Sequence, residues 1–133
     1  MKKLLTLTVI LHFLMFSSVS FGEWIEFLHD EEDGSITYLD YERKRIHNGY
    51  IHIWMKVDYL EPRPSGTLSL EVYEQIDCNE FKVKDLQLYA HAQGEVRNVP
   101  VSGSWVYPKP SSLLEIIVQD TCNMHKYRTK RLQ

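Results

Sequence analysis

Two cysteines, Cys78 and Cys122, constrain the fold of this chain more than any other feature of its sequence. An even number of cysteines in an exported chain predicts a disulfide bond between them. Closing a loop of about 45 residues stabilises a small domain by roughly 4 kcal/mol on chain-entropy grounds. The whole folding stability of such a domain is only about 5–15 kcal/mol. The sequence therefore predicts a C-terminal half that is closed around one core by Cys78–Cys122.

Residues 1–22 have the features of a secretory signal peptide. Lys2 and Lys3 precede an apolar run over residues 4–16, which is shorter than the roughly 18 residues that a spanning helix needs. Ser20 and Gly22 occupy the −3 and −1 positions for cleavage before Glu23, and a rival site lies two residues earlier. No cysteine lies near the cleavage region, so we expect a mature protein without a lipid anchor, periplasmic or secreted.

The mature chain has the size of one domain and a negative charge. Removing 22 of the 133 residues leaves 111. Without Lys2 and Lys3, the 15 basic residues fall to 13 against 18 acidic residues, whereas a nucleic-acid binder needs a basic stripe. Residues 123–133 form a basic C-terminal tail, predicted either to be a solvated, frayed end or to contact an acidic partner or membrane surface.

Alternating apolar and polar residues predict an antiparallel sheet. Asn48-Gly49 predicts a two-residue type I′ turn, and the strand after it should turn Ile51, Ile53, Met55 and Val57 towards the core. A change of phase near Asp85 indicates a β-bulge or a sheet edge. The predicted strands cover residues 24–29, 36–40, 50–59, 67–77, 81–91 and one short edge segment within 94–105.

Two further segments complete the predicted architecture. Residues 41–46 have no clear period, and they predict a helical turn or an irregular crossover. Ser112 followed by Glu115 forms a capping box, and apolar residues at helical spacing predict a helix over residues 113–121. This order of elements predicts an α+β fold, with one C-terminal helix packed on an antiparallel sheet.

One predicted strand surface is rich in aromatic and cationic side chains, which are enriched at protein interfaces. The alternative is that these aromatic residues only stiffen the sheet through cross-strand pairs. The candidate binding surface is Tyr50, His52, Trp54, Lys56, Tyr59 and Tyr73.

The sequence gives no sign of an enzyme. The histidines of the mature chain lack metal-ligand spacing, and there is no Gly-x-Ser-x-Gly elbow and no free cysteine for a nucleophile. We therefore expect no catalytic residue, no metal site and no cofactor. Two alternatives to a simple protein binder stay open: self-association through sheet edges, and haem ligation by His47, His52 or His91.

The order of features along residues 23–122 resembles the bacterial surface-adhesin protein E-like domain family. The matching residues are Trp24, Asp33-Gly34, Tyr38, Asp40, Arg45-Ile46, Trp54, Asp58-Tyr59, Tyr73, Asp77-Cys78, Ser104-Trp105 and Cys122. The resemblance implies a sheet of about six strands with one helix against it. It also implies an exported, non-enzymatic binding domain whose partner is an extracellular-matrix or envelope protein. The resemblance further implies that the protein could form a homodimer, and the family has been linked to haem. No ligand-binding residue is carried over from it.

Overall fold

The computed structural model describes residues 22–131, with side chains described up to Lys126. Within this range the chain forms six strands and one helix: β1 (Ile25–His29), β2 (Ile36–His47), β3 (Tyr50–Asp58), β4 (Thr67–Asp77), β5 (Lys82–Ala92), β6 (Glu95–Asn98) and α1 (Leu113–Arg131). The strands form a single sheet in chain order, each antiparallel to the next. The predicted architecture is confirmed. The predicted signal peptide, apart from Gly22, lies outside the described residues.

One face of the sheet, the helix face, packs against α1 and forms the core. Seven buried aliphatic residues make up this cluster: Leu39, Ile51, Ile53, Ile76 and Val83 from the sheet, and Ile117 and Val118 from the helix. Burying an aliphatic side chain of this size stabilises a fold by about 1.5–3 kcal/mol. The Tyr41 hydroxyl donates to Asp120 Oδ2 at 2.8 Å, so a hydrogen bond also joins the helix face to α1.

The start and the covalent anchor of α1 agree with the sequence. Ser112 Oγ accepts a hydrogen bond from the Glu115 N–H at 3.2 Å, and Glu115 Oε2 accepts one from the Ser111 N–H at 2.6 Å. The disulfide Cys78–Cys122 joins the residue after β4 to the helix, with 5.7 Å between the Cα atoms. The predicted disulfide between Cys78 and Cys122 is confirmed.

The helix is longer than predicted, because it continues past Cys122 to Arg131. The residues after Cys122 include several lysines and arginines, which favour helix but leave no apolar period for the sequence to reveal. Within residues 22–131, the helix is too polar to cross a lipid bilayer.

The prediction of a helical turn or an irregular crossover over residues 41–46 was wrong, because β2 runs through this segment. Asp40 pairs with Trp54, and the next aligned pair is Arg45 with His52. Five steps along β2 therefore match two along β3, and this bulge removes the alternation from the sequence. Asn48 and Gly49 then turn the chain with φ values of 51° and 79°, as a type I′ turn requires.

A second bulge, in β5, lies near Asp85, where the sequence predicted either a bulge or a sheet edge. Tyr73 pairs with Gln87 and Glu74 with Asp85, so Leu86 is an extra residue. The bulge places Lys82 and Lys84 on the side of the sheet away from α1, while Ala90 is buried on the helix face. Without the extra residue, strand alternation would place Lys82, Lys84 and Leu88 on the same side of β5.

Candidate functional site

The face of the sheet opposite α1, the open face, carries most of the predicted candidate residues. Strand alternation places Tyr50, His52, Trp54 and Lys56 of β3 on this face, because the residues between them point into the core. Tyr73 of β4 pairs directly with Trp54. The structure therefore brings five of the six predicted surface residues together.

The sixth residue, Tyr59, lies elsewhere. It follows the last residue of β3 and has the same parity as Val57, so it does not belong to the open face. The Arg63 guanidinium carbon lies 4.1 Å from the centre of its ring. Tyr59 is therefore part of the loop between β3 and β4.

A stack of aromatic rings crosses three strands of the open face. The ring centres of Trp54 and Tyr73 lie 4.8 Å apart with an interplanar angle of 23°, and those of Trp54 and Tyr89 lie 6.2 Å apart. All three side chains are half-buried. Such pairs contribute about 0.5–1.5 kcal/mol beyond the area they bury. The rings thus stiffen the sheet, and parts of them stay accessible to a partner.

Lysine side chains cover aromatic rings at both ends of this stack. Lys56 Nζ lies 4.5 Å from the centre of the Tyr38 ring and 5.5 Å from that of Trp24. At the other end, Lys84 Nζ lies 4.6 Å from the Trp105 ring centre. The Trp105 ring in turn lies 5.3 Å from the ring of Tyr50. These cation–π contacts hold the lysines over the open face.

Several residues of the open face were missed at the sequence level. Tyr38 pairs with Lys56, and strand alternation combined with the sheet order would have found it. Tyr89 was hidden by the β5 bulge, which shifts its parity. Trp24 and Trp105 lay within predicted strand segments, but in the structure both lie outside the strands. Trp105 reaches the sheet because Val106 bridges to Val83.

A depression of about 390 Å³ lies near the turn between β2 and β3. Its lining residues are Arg45, Ile46, His47, His52, Tyr73 and Leu86. Burial lowers the pKa of His52, and electrostatic interaction with His47 and Lys84 lowers it further. His52 is therefore neutral at physiological pH. The cations around it would attract an anionic group of a ligand.

The three histidines named as alternative haem ligands lie at two places on the sheet. The ring centres of His47 and His52 are 6.3 Å apart, whereas His91 Nε2 lies 3.5 Å from Glu71 Oε2 near the other end of β4. Within the described part of the chain, no group of three His, Cys, Asp or Glu side chains is arranged to hold a metal ion.

A buried carboxyl group on the helix face was also missed. Glu74 occupies the core-facing position between Val72 and Ile76, and it is 2 % exposed. Burial, together with the nearby charge of Asp85, raises its pKa to about 8. Its Oε2 atom has no hydrogen-bond partner among the described residues. Glu74 is thus largely protonated at neutral pH, and it lies on the opposite side of the sheet from the candidate surface.

A larger cavity, of about 580 Å³, lies beside the disulfide. Phe81 and His125 lie in its wall, and none of the described lining residues belongs to the predicted binding surface. The combination of stacked rings and cations occurs on the open face, which is therefore the candidate functional site.

Comparisons with known proteins agree with this architecture. The solved structures similar to the chain include crystal form II of Haemophilus influenzae protein E, with a TM-score of 0.52 and 16 % sequence identity; the match covers 74 % of this chain and 96 % of that one. At this identity the likeness concerns the fold alone. No curated protein shows significant sequence similarity to the chain. The sequence profile described as Surface-adhesin protein E matches residues 24–123, and the chain therefore belongs to the surface-adhesin protein E family.

Proposed function

We propose that this protein is an exported, non-enzymatic binding domain that engages a protein partner through its open face. The observation that carries the proposal is the stack of Trp54, Tyr73 and Tyr89, which lies on the face that α1 leaves uncovered. Aromatic anchors of this kind dominate the energetics of many protein interfaces. Membership of an adhesin family supports the same role.

The contacts of the open face suit binding. The rings of Trp54 and Tyr73 hold each other in place, so docking would immobilise few additional rotamers, and less side-chain entropy would be lost. Lys56 and Lys84 lie over aromatic rings at the two ends and would form a polar rim around the apolar centre. The helix face offers no comparable surface, because its aliphatic residues are already buried.

The proposed partner is a protein of the extracellular matrix or of the bacterial envelope. The place of action is the periplasm or the outside of the cell, as the predicted signal peptide suggests. A nucleic acid is not the expected partner, since the whole chain has a formal charge of −3 and lacks the basic excess of such binders.

The proposal is tested by comparing two tyrosine variants of the mature protein. Immobilised wild-type protein is presented with purified extracellular-matrix proteins and with envelope extracts, and bound proteins are identified by mass spectrometry. Tyr73→Ala should weaken capture tenfold or more, because it removes the ring that stacks on Trp54 at 4.8 Å. Tyr59→Ala is the matched control, since Tyr59 lies off the open face, and it should leave capture unchanged.

Melting curves of both variants show whether a loss of capture reflects a loss of folding. Equal capture by wild-type protein and by folded Tyr73→Ala would refute the open face as the binding surface. Trp54→Ala provides an independent second test of the same stack.

Self-association is the second candidate function, because exposed apolar residues lie on both outer strands. Val96 of β6 is 60 % exposed and Ile25 of β1 is 43 % exposed, and unpaired strand edges readily pair with other chains. Light scattering over a range of concentrations distinguishes the two functions. A dimer that Val96→Lys dissociates would favour self-association, whereas a constant monomer mass would exclude it.

A further inference from the structure

A row of cationic and amide side chains crosses four strands of the open face next to the depression described above. Arg45 of β2 pairs with His52 of β3, and His52 pairs with Gln75 of β4. Gln75 pairs with Lys84 of β5. Because directly paired residues lie side by side on the same face of a sheet, these four residues form a continuous line, which we call the cationic row.

The cationic row differs from other cations of the molecule in lacking acidic partners. Within the described side chains, neither Arg45 nor Lys84 forms a salt bridge. Five other cations of the described residues do have a carboxylate within salt-bridge distance: Lys56 has Asp58, Lys82 has Asp77 and Glu80, Arg43 has Asp40, Arg63 has Asp33, and Arg97 has Glu95. The row therefore carries positive charge that the protein itself does not neutralise.

The dimensions of the row limit what it can hold. Neighbouring strands lie about 4.8 Å apart, so the row spans roughly 14 Å from Arg45 to Lys84, the length of four to five extended residues. Tyr73 and Leu86 line the depression beside it, and Trp105 lies under the Lys84 ammonium group. A ligand on the row would thus contact charged donors and apolar surface together.

We propose that the cationic row binds a short acidic segment of the partner protein, with its carboxylates on Arg45 and Lys84. This inference rests on the proposed function, since the row is part of the open face. An Arg guanidinium binds a carboxylate through two parallel hydrogen bonds, and the Gln75 amide supplies a neutral donor between the two charges. The negative charge of the whole chain disfavours a long polyanion extending beyond the row. A short acidic segment therefore fits better than a sulfated polysaccharide.

The test uses a hexaglutamate peptide, with hexaglutamine as the uncharged control. The mature protein is titrated with each peptide at low salt and followed by NMR of the His52 ring and the Gln75 side-chain amide. Hexaglutamate should shift both sets of signals, and the shifts should diminish as salt is added. It should also raise the pKa of His52, because carboxylates would now lie beside a ring that otherwise faces Arg45, His47 and Lys84.

A pair of double variants with the same total charge supplies the specificity control. Arg45→Gln/Lys84→Gln should weaken hexaglutamate binding at least tenfold, whereas Arg63→Gln/Arg97→Gln removes two exposed cations outside the row and should change it less than twofold. Equal weakening by the two double variants would mean diffuse charge attraction and would overturn the proposal. Binding of a sulfated polysaccharide without binding of hexaglutamate would also overturn it, in favour of a glycan ligand.

The same variants separate this inference from the proposed function. If Tyr73→Ala abolishes capture of a purified partner and Arg45→Gln/Lys84→Gln does not, the open face binds protein but the role of the row is refuted. If the row binds hexaglutamate specifically while Tyr73→Ala leaves capture intact, the anion site stands and the aromatic stack is not the binding surface.

Discussion

The two faces of this sheet are built from alternate residues of the same strands, and they have different chemistry. Along β3, Ile51 and Ile53 are 2 % and 0 % exposed beneath α1, while His52 and Trp54 lie half-buried on the open face. The helix face is aliphatic and covered. The open face is aromatic and cationic, and no described element of the chain covers its stack.

We infer from this difference that the helix face mainly stabilises the fold and that the open face is available for binding. The buried aliphatic residues of the helix face lose their whole contact with water on folding, so they provide most of the hydrophobic free energy. The rings of the open face contact one another and keep only part of their surface exposed, and this exposed part is what a partner could still bury. Substitutions on the two faces should therefore have different consequences, and three experiments examine how strict the division is.

The largest effect should come from removing the disulfide that holds α1 on the helix face. The double variant Cys78→Ala/Cys122→Ala should lose about 4 kcal/mol of unfolding free energy, since the unfolded chain regains the freedom of a long loop. Urea unfolding of the oxidised wild type and of the variant measures the difference. A change below about 1 kcal/mol would show that packing alone holds the helix.

The next effect compares single side chains on the two faces. Ile117→Ala should lower the unfolding free energy by about 2–5 kcal/mol, because Ile117 is fully buried. Its neighbour Ile116 is 44 % exposed, and Ile116→Ala should cost under about 1 kcal/mol. Tyr73→Ala on the open face should cost less, about 1–2 kcal/mol, through the lost stack and the partly buried area of the ring. If Tyr73→Ala were as destabilising as Ile117→Ala, both faces would be structural and the division would fail.

A smaller effect, which depends on pH, should come from the buried carboxyl group of Glu74 on the helix face. The pKa of Glu74 is about 8 in the folded protein and 4.5 ordinarily, so the folded state favours the protonated form. Its stabilising contribution is complete below about pH 4.5 and is lost as the pH rises towards 8. Between pH 5 and pH 7 this loss should be roughly 2–3 kcal/mol.

The Glu74→Gln variant should remove that decline, because an amide does not ionise. Glu42→Gln, at an exposed position of β2, is the matched control and should keep the wild-type pH dependence. Unfolding free energies at several pH values provide the measurement. Identical profiles for wild-type protein and Glu74→Gln would show that Glu74 is ionised at neutral pH and that the helix face accommodates its charge.

Much of this architecture could be predicted from the sequence, wherever one physical rule acted alone. The alternation along β3, the Asn48-Gly49 turn and the capping residue Ser112 were each sufficient to place an element. The phase change near Asp85 revealed the β5 bulge, because both flanking segments keep a clear period. The pairing of Cys78 with Cys122 followed from their number and the exported context.

The errors occurred where two effects overlapped. The bulge within β2 erased the alternation over residues 41–46, and the polar C-terminal half of α1 offered no apolar stripe. Tyr59 was assigned to the binding surface by its residue type, although its parity places it off the open face. Trp105 was missed because a loop residue has no period and is placed only by tertiary contacts. The cationic row depends on the register of four strands, which the sequence of one chain does not specify.

The position of the disulfide also determines how the domain would respond to a mechanical load. Cys78 and Cys122 are separated by 44 positions along the chain. A pulling force would therefore be transmitted through the disulfide and not through the backbone between the two cysteines. Under tension applied at the two ends of the domain, roughly 150 Å of contour could not be drawn out while the bond is intact. The force would pass from the end of β4 directly into the middle of α1. The strands β5 and β6 would then lie outside the path of the load, and Lys84 and Tyr89 of the open face with them.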